Sequence, residues 1–278
     1  MNRLVLIGNG FDLAHGLKTR YEDFFYWYWE QRVNDFLHNS TIESCDVLCK
    51  LINLQYDSWL ISLTYDTTLK NGDGKEIYNH LVSNTDSFKL EFSPFFDRIR
   101  KCIETKGWVD IENEYYELLK KYVLDGKDVS EIEKLNHQLQ YLQEKLITYL
   151  KSIEISDKLL KTNIRQKLHD RFKSTDISIS GKQALKDHVD YGLALDDTEW
   201  EWKLRAYGSS CYSKGRVDEY KDRLKNKDSY LEQEEAPMEL MLPNQILLLN
   251  FNYTHTADLY CKEASIFSVN QIHGDLNN

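Results

Sequence analysis

Three short polar clusters carry residue types that chemistry needs: Gly8-Asn9-Gly10-Phe11-Asp12, Asn252-Tyr253-Thr254 and His273-Gly274-Asp275. Glycines at 8 and 10 permit a tight turn and a close backbone approach to a ligand. A helix following such a turn can offer free amides to a phosphate. The dinucleotide fingerprint wants a third glycine where Leu13 stands, so this is not the loop of a standard nicotinamide-dependent dehydrogenase. Asp12 suits either a helix N-cap or a carboxylate that binds a ribose hydroxyl or positions a reactant. Asn252 can orient a water or a sugar hydroxyl, or serve a turn. Thr254 reads as an N-cap and Tyr253 as core. Of the eight histidines, His273 is the best general-base candidate; His15 and His255 flank these loops. A fourth cluster, Trp108-Val109-Asp110-Ile111-Glu112-Asn113-Glu114, puts carboxylates in a first helical turn, where they favour the helix dipole or could hold a divalent cation.

Each of the three clusters follows an apolar run. Leu4-Val5-Leu6-Ile7 reads as a strand buried on both faces. Residues 246–251 and 266–272 read as a second and a third strand, with a helical pattern over 254–262 between them. In a parallel sheet the carboxyl ends of the strands share one edge, and ligands bind there. Clusters some 240 residues apart in sequence are therefore expected to meet in space. Between them the helical signal dominates. Thr19-Arg20-Tyr21-Glu22 reads as a capping box ahead of an aromatic helix through Phe24, Phe25, Trp27, Tyr28 and Trp29 that packs in the core. Trp59, Leu60 and Leu63 suggest a helix, as do residues 109–124. A second capping box, Ser130-Glu131-Ile132-Glu133, opens an apolar seam at Ile132, Leu135, Leu139, Leu142, Leu146, Tyr149 and Ile153. The seam reads as one arm of an intramolecular hairpin whose partner lies in 157–173; dimerisation is the alternative. Trp200, Trp202 and Tyr207 are expected anchors in the charged stretch 174–235. The expected fold class is α/β: a Rossmann-like parallel sheet built from both chain ends (1–39 and 241–278), with a large, mainly helical insertion at 40–240.

Composition sets outer limits. Apolar residues make up 41% of the 278, enough to build a core, which excludes a disordered acidic tail or a collagen. Only 12 Gly and 3 Pro occur, so turns are scarce and an all-β sandwich is disfavoured. The net charge of −10 gives no overall footprint for nucleic acid. Five cysteines at wide spacings form no zinc pattern and read as free thiols of a reducing cytoplasm. No run of 18 apolar residues suggests a membrane span. The expected protein is soluble and cytoplasmic.

Leu6-Ile7-Gly8-Asn9-Gly10-Phe11-Asp12-Leu13-Ala14-His15-Gly16-Leu17, followed by Thr19, Tyr21 and Phe24, resembles the N-terminal signature of the AbiH family, which is linked to abortive infection against bacteriophage. Trp108-x-Asp110-x-Glu112, Phe251-Asn252-Tyr253-Thr254 with Thr256 and Tyr260, and Ile272-His273-Gly274 look like its later signatures. The family in turn is similar to sirtuin-like NAD-consuming domains of bacterial defence. The resemblance implies an antiviral effector that binds a nucleotide and hydrolyses NAD as substrate, with no resident cofactor or metal. Gly8, Asn9 and Gly10 would cradle phosphates, with Phe11, Asp12 and Thr254 completing the nucleotide site. Asn252 would place the water, His273 would act as general base, and Asp12 would stabilise the developing cation. Asn9, Phe11 and Asp12 depart from the sirtuin loop. The sequence stops five residues after His273, which implies a sheet shortened at its end. The rival readings are a metal-dependent nuclease or phosphodiesterase using Asp12, Asp110 and Glu112, and a non-catalytic sensor module. The expected partners are a dinucleotide or nucleotide, a phage-derived trigger and a second copy in a homo-oligomer.

Overall fold

A computed structural model describes residues 2–39, 42–54, 66–170, 172–173, 243–261, 266–274 and 276, with scattered positions between 181 and 199. The expected helix at Trp59 to Leu63 and the anchors Trp200, Trp202 and Tyr207 lie outside these residues. The chain divides into two units: Met1–His15 with Ile155–Asn278, and Gly16–Glu154.

The first unit holds β1 (Asn2–Ile7), β5 (Gln245–Asn250) and β6 (Phe267–Gln271) in one parallel sheet, ordered β1-β5-β6. The strands and their order of use match the expectation of an α/β sheet built from both chain ends. Ile7, Ile246, Leu248 and Ile266 fill its core with Leu168, Leu259 and Tyr260. One expectation fails. Leu4, Leu6 and Leu247 are exposed, Leu6 by 68%, so the sheet buries one face rather than two. Alternation along β1 (Val5 and Ile7 inward, Leu4 and Leu6 outward) is hidden from sequence inspection because both sets are aliphatic.

Helix α8 (Thr162–Leu168) packs under this sheet through Ile164 and Leu168. Arg3 from β1 donates to the carbonyls of Lys167 and Leu168 at its end (3.2 and 2.5 Å), where unpaired carbonyls and the helix dipole favour a cation. This assignment overturns the expected hairpin: residues 157–168 belong to the parallel-sheet core, not to the apolar seam.

The seam itself, on α7 (Val129–Ser152), serves the second unit. Leu135, Leu142 and Tyr149 are buried, and Leu139, Leu146 and Ile153 pack beside them. Their partners include α2 (Tyr21–Asn39), α5 (Pro94–Lys106) and α6 (Ile111–Leu124). The aromatic helix α2 buries Phe24, Phe25, Tyr28 and Trp29 as expected. Both expected capping boxes shift. Asp23, not Glu22, reaches back to the Arg20 N–H (3.0 Å). Asp128, not Ser130, caps α7 by accepting from the Glu131 N–H (3.1 Å). The unit also contains an antiparallel sheet, β2 (Glu43–Cys45), β3 (Cys49–Asn53) and β4 (Phe88–Phe92), which helical periodicity did not reveal. Among the described residues no helix is long and apolar enough to cross a membrane.

A buried carboxylate fastens this sheet to α2. Asp46 accepts from the Leu48 and Cys49 N–H groups (2.8 and 2.9 Å) and from the hydroxyls of Tyr28 (2.8 Å) and Tyr141 (3.2 Å). It pairs with Arg32 at 3.5 Å. Burial, reinforced by Asp46, pushes the Cys49 thiol up to about 12, so it carries little thiolate at neutral pH. Alkylation of the native protein at pH 8 should modify the exposed Cys45 and spare Cys49. Mass spectrometry of the digest checks this, and equal labelling of the two would show that the Asp46 hub is open.

Candidate functional site

The register of the parallel sheet fixes the site. Ile7 pairs with Asn250, and Asn250 with Gln271, so the three strands end level. The pairing runs one residue further through Phe251 N–H to Ile7 O and Ile272 N–H to Asn250 O, each 2.9 Å. The three polar clusters consequently emerge along one edge, as a parallel sheet requires.

Asn250, the last residue of β5, organises the loop that follows. Its side chain accepts from the Asn252 N–H (3.1 Å) and donates to the Thr254 carbonyl (2.9 Å). Asn252 is turned toward β1 and donates from Nδ2 to the Gly8 carbonyl at 3.1 Å. Thr254 does not cap a helix. Its hydroxyl donates to Asp12 Oδ2 at 2.6 Å, and the Thr256 hydroxyl donates in turn to Thr254 (3.3 Å). A 3-10 helix, Thr256–Tyr260, replaces the longer helix expected there.

Asp12 is not an N-cap either. Helix α1 (Asn9–Ala14) starts from Gly8 without a side-chain cap. Asp12 faces inward, 1% exposed, and its second oxygen, Oδ1, is buried without a hydrogen-bond partner among the described residues. An unpaired buried carboxylate oxygen costs on the order of 1–3 kcal/mol or more. In the turn that precedes it, Gly8, Asn9 and Gly10 are exposed. A side-chain carbon at Gly8 or Gly10 would meet nothing within 4 Å, and neither has a positive φ. Neither backbone conformation nor packing against described residues demands glycine there, which leaves open space over the turn.

Phe11 faces the core instead of that space, its ring 4.5 Å from His15 and 5.6 Å from Tyr260. His15 is a structural residue. Its Nδ1–H donates to the Phe11 carbonyl (2.7 Å), leaving Nε2 to accept from the Tyr260 hydroxyl (2.6 Å). The Tyr260 oxygen accepts from the Lys161 N–H (3.1 Å). Burial raises the Tyr260 phenol, with the Lys161 amide partly opposing, so the hydroxyl stays a donor. His255 pairs with Asp258 at 2.9 Å.

His273 is exposed at the same edge, just before Gly274 in a left-handed turn (φ 81°). Its ring lies 5.8 Å from Phe251 and 5.9 Å from Tyr253. Both aromatics are more than 40% exposed, which corrects the reading of Tyr253 as core. Together they form an aromatic surface beside the histidine. The fourth cluster lies in the other unit. Asp110 caps α6 by accepting from the Asn113 N–H (3.0 Å), and Glu114 pairs with Arg98 (2.8 Å). Among the described residues no group of three or more His, Cys, Asp or Glu side chains is placed to hold a metal ion.

Residues 4–278 match the family model for bacteriophage abortive infection AbiH. The chain belongs to the AbiH family. This supports a role in abortive-infection defence against bacteriophage. No curated protein and no solved structure matches the chain.

Asn250, Lys161 and the hydrogen-bond relay that links Lys161, Tyr260 and His15 were not singled out from the AbiH sequence; Thr256 and Tyr260 entered only with the family signature and His15 only as a histidine flanking the loops. An asparagine closing an otherwise aliphatic run was the available signal for Asn250; the relay joins residues too distant to show any. Tyr260→Phe strips the hydroxyl from the buried His15 ring and from the part-buried Lys161 amide and should lower stability by about 1–3 kcal/mol. A drop in urea midpoint at unchanged slope would show it, whereas an unchanged midpoint would remove the relay.

Proposed function

We propose that this AbiH chain hydrolyses NAD at the bond between nicotinamide and ribose, at the carboxyl edge of the β1-β5-β6 sheet. The observation that carries the reading is the buried Asp12 with an oxygen unpartnered among the described residues, in the helix that follows an exposed glycine turn with room around Gly8 and Gly10. Departure of nicotinamide leaves positive charge at the ribose carbon. A fixed carboxylate in a water-poor setting stabilises such charge far better than solvent can. The Thr254 hydrogen bond holds Asp12 in place, so little reorganisation is needed when the charge develops.

The remaining roles follow from position. The Gly8–Gly10 turn lets the dinucleotide's phosphates approach the backbone, which is how an acidic protein can bind an anionic substrate. Phe251 and Tyr253 supply aromatic faces for a planar ring. Asn252 places the attacking water and the ribose. His273 takes a proton from that water as it attacks; the C–N bonding pair leaves with nicotinamide, and the products are ADP-ribose, nicotinamide and one proton. The metal-nuclease reading requires Asp12, Asp110 and Glu112 to meet, and no described cluster supports it.

His273→Ala should cut NAD turnover by about a hundredfold or more, since general-base catalysis contributes roughly 10²–10⁴. The exposed position of His273 predicts an unchanged unfolding midpoint. Asn252→Ala should lose comparable activity together with about 1 kcal/mol of stability, because its amide bonds the Gly8 carbonyl. Product analysis of purified protein with NAD checks both. Full turnover in folded His273→Ala would refute the assignment.

A further inference from the structure

The second unit contains a cavity of about 400 Å³ that the proposed chemistry does not use, within the size range of small-ligand sites. One stripe of α2 forms its floor: Glu22, Tyr26 and Glu30 at four-residue spacing, with Trp27 alongside. The start of α4 (Gly74–Ser83) forms one wall. That wall is fixed, because a side chain at Gly74 would fall 2.1 Å from the Tyr26 carbonyl, so only glycine lets the two backbones approach. Tyr149 from α7 forms another, its ring 5.2 Å from Trp27 and its hydroxyl donating to the Lys18 carbonyl (2.6 Å).

The lining combines aromatic faces with an excess of negative charge: four carboxylates against two ammonium groups. Among the described residues the contacts of these groups leave two of them over, the Glu30 carboxylate and the Lys18 ammonium. Asp73 caps α4, Asp23 accepts from the Arg20 amide, and Glu22 pairs with Lys75 at 3.5 Å. Glu30 has no hydrogen-bond or ion-pair partner among the described residues. The cavity already shows what its walls favour: the Lys75 ammonium sits 5.4 Å above the Tyr26 ring. Aromatic faces attract cations, more strongly when the pair is shielded from water. A ring-lined cavity whose carboxylates outnumber its ammonium groups disfavours anions and gives a neutral ligand no charge to meet.

We propose that this cavity binds an organic cation, an ammonium or guanidinium group on an alkyl stem, with the stem against Trp27 and Tyr149 and the charge on Glu30. A free polyamine and a lysine or arginine side chain of a partner protein present the same chemistry. Calorimetric titration of the full chain distinguishes them, using spermidine, a short lysine–alanine peptide and the same peptide with norleucine for lysine. The expected result is one saturable site for at least one cationic probe and none for the norleucine peptide. Glu30→Gln, which disrupts no existing contact, should weaken binding roughly tenfold or more, as hydrogen bonds to charged groups are among the stronger ones. Tighter binding of spermidine identifies a free amine, and tighter binding of the peptide a protein partner. Absence of saturable binding by either cationic probe, equal binding of the norleucine peptide, or unchanged affinity in Glu30→Gln would each overturn the proposal.

Discussion

The hydrogen bond from Thr254 to Asp12 is the interaction on which the site depends. It joins groups 242 residues apart and can form only because β1 and β5 lie side by side, parallel and ending level. A carboxylate withdrawn from water loses hydration that must be replaced by hydrogen bonds or charge. Thr254 replaces part of that hydration for Asp12, and one oxygen is left without a partner among the described residues. Asn252 adds a second tie, from the β5 loop to the Gly8 carbonyl. The loop geometry on this edge is thus set by side chains that close the two chain ends on one another.

Much of this was legible in the sequence because parallel sheets impose a strong rule. Three apolar runs, each followed by glycine, asparagine or histidine, specify three strand ends, and the shared edge follows from topology. Side-chain direction was not legible. Asp12 and Thr254 both sit where capping residues are common, and sequence spacing cannot distinguish a cap from a buried pair joining distant loops. The strand faces were hidden for a similar reason: Leu4 and Leu6 are as apolar as Val5 and Ile7, yet only the latter pair faces the core. In the helical region the seam from Leu135 to Tyr149 was visible at its correct spacing, but not its partners. Periodicity states that a face is buried and leaves open what buries it.

The two units divide their polar groups differently. Around Asp46 both carboxylate oxygens accept, from two amides and two phenols, and a guanidinium lies beside them, which is the pattern of a structural hub. At the strand edge Asp12 has one oxygen hydrogen-bonded and the other without a partner among the described residues. Carboxylates with both oxygens hydrogen-bonded and with only one thus occur within one chain.

Amide hydrogen exchange of the full chain with and without NAD tests the central claim most directly, because it reports where the dinucleotide sits regardless of turnover. Binding at the carboxyl edge predicts slowed exchange in peptides covering residues 8–12 and 250–254, with the Asp46 region unchanged. Saturating NAD that leaves both edge segments exchanging at their free rates would contradict the account.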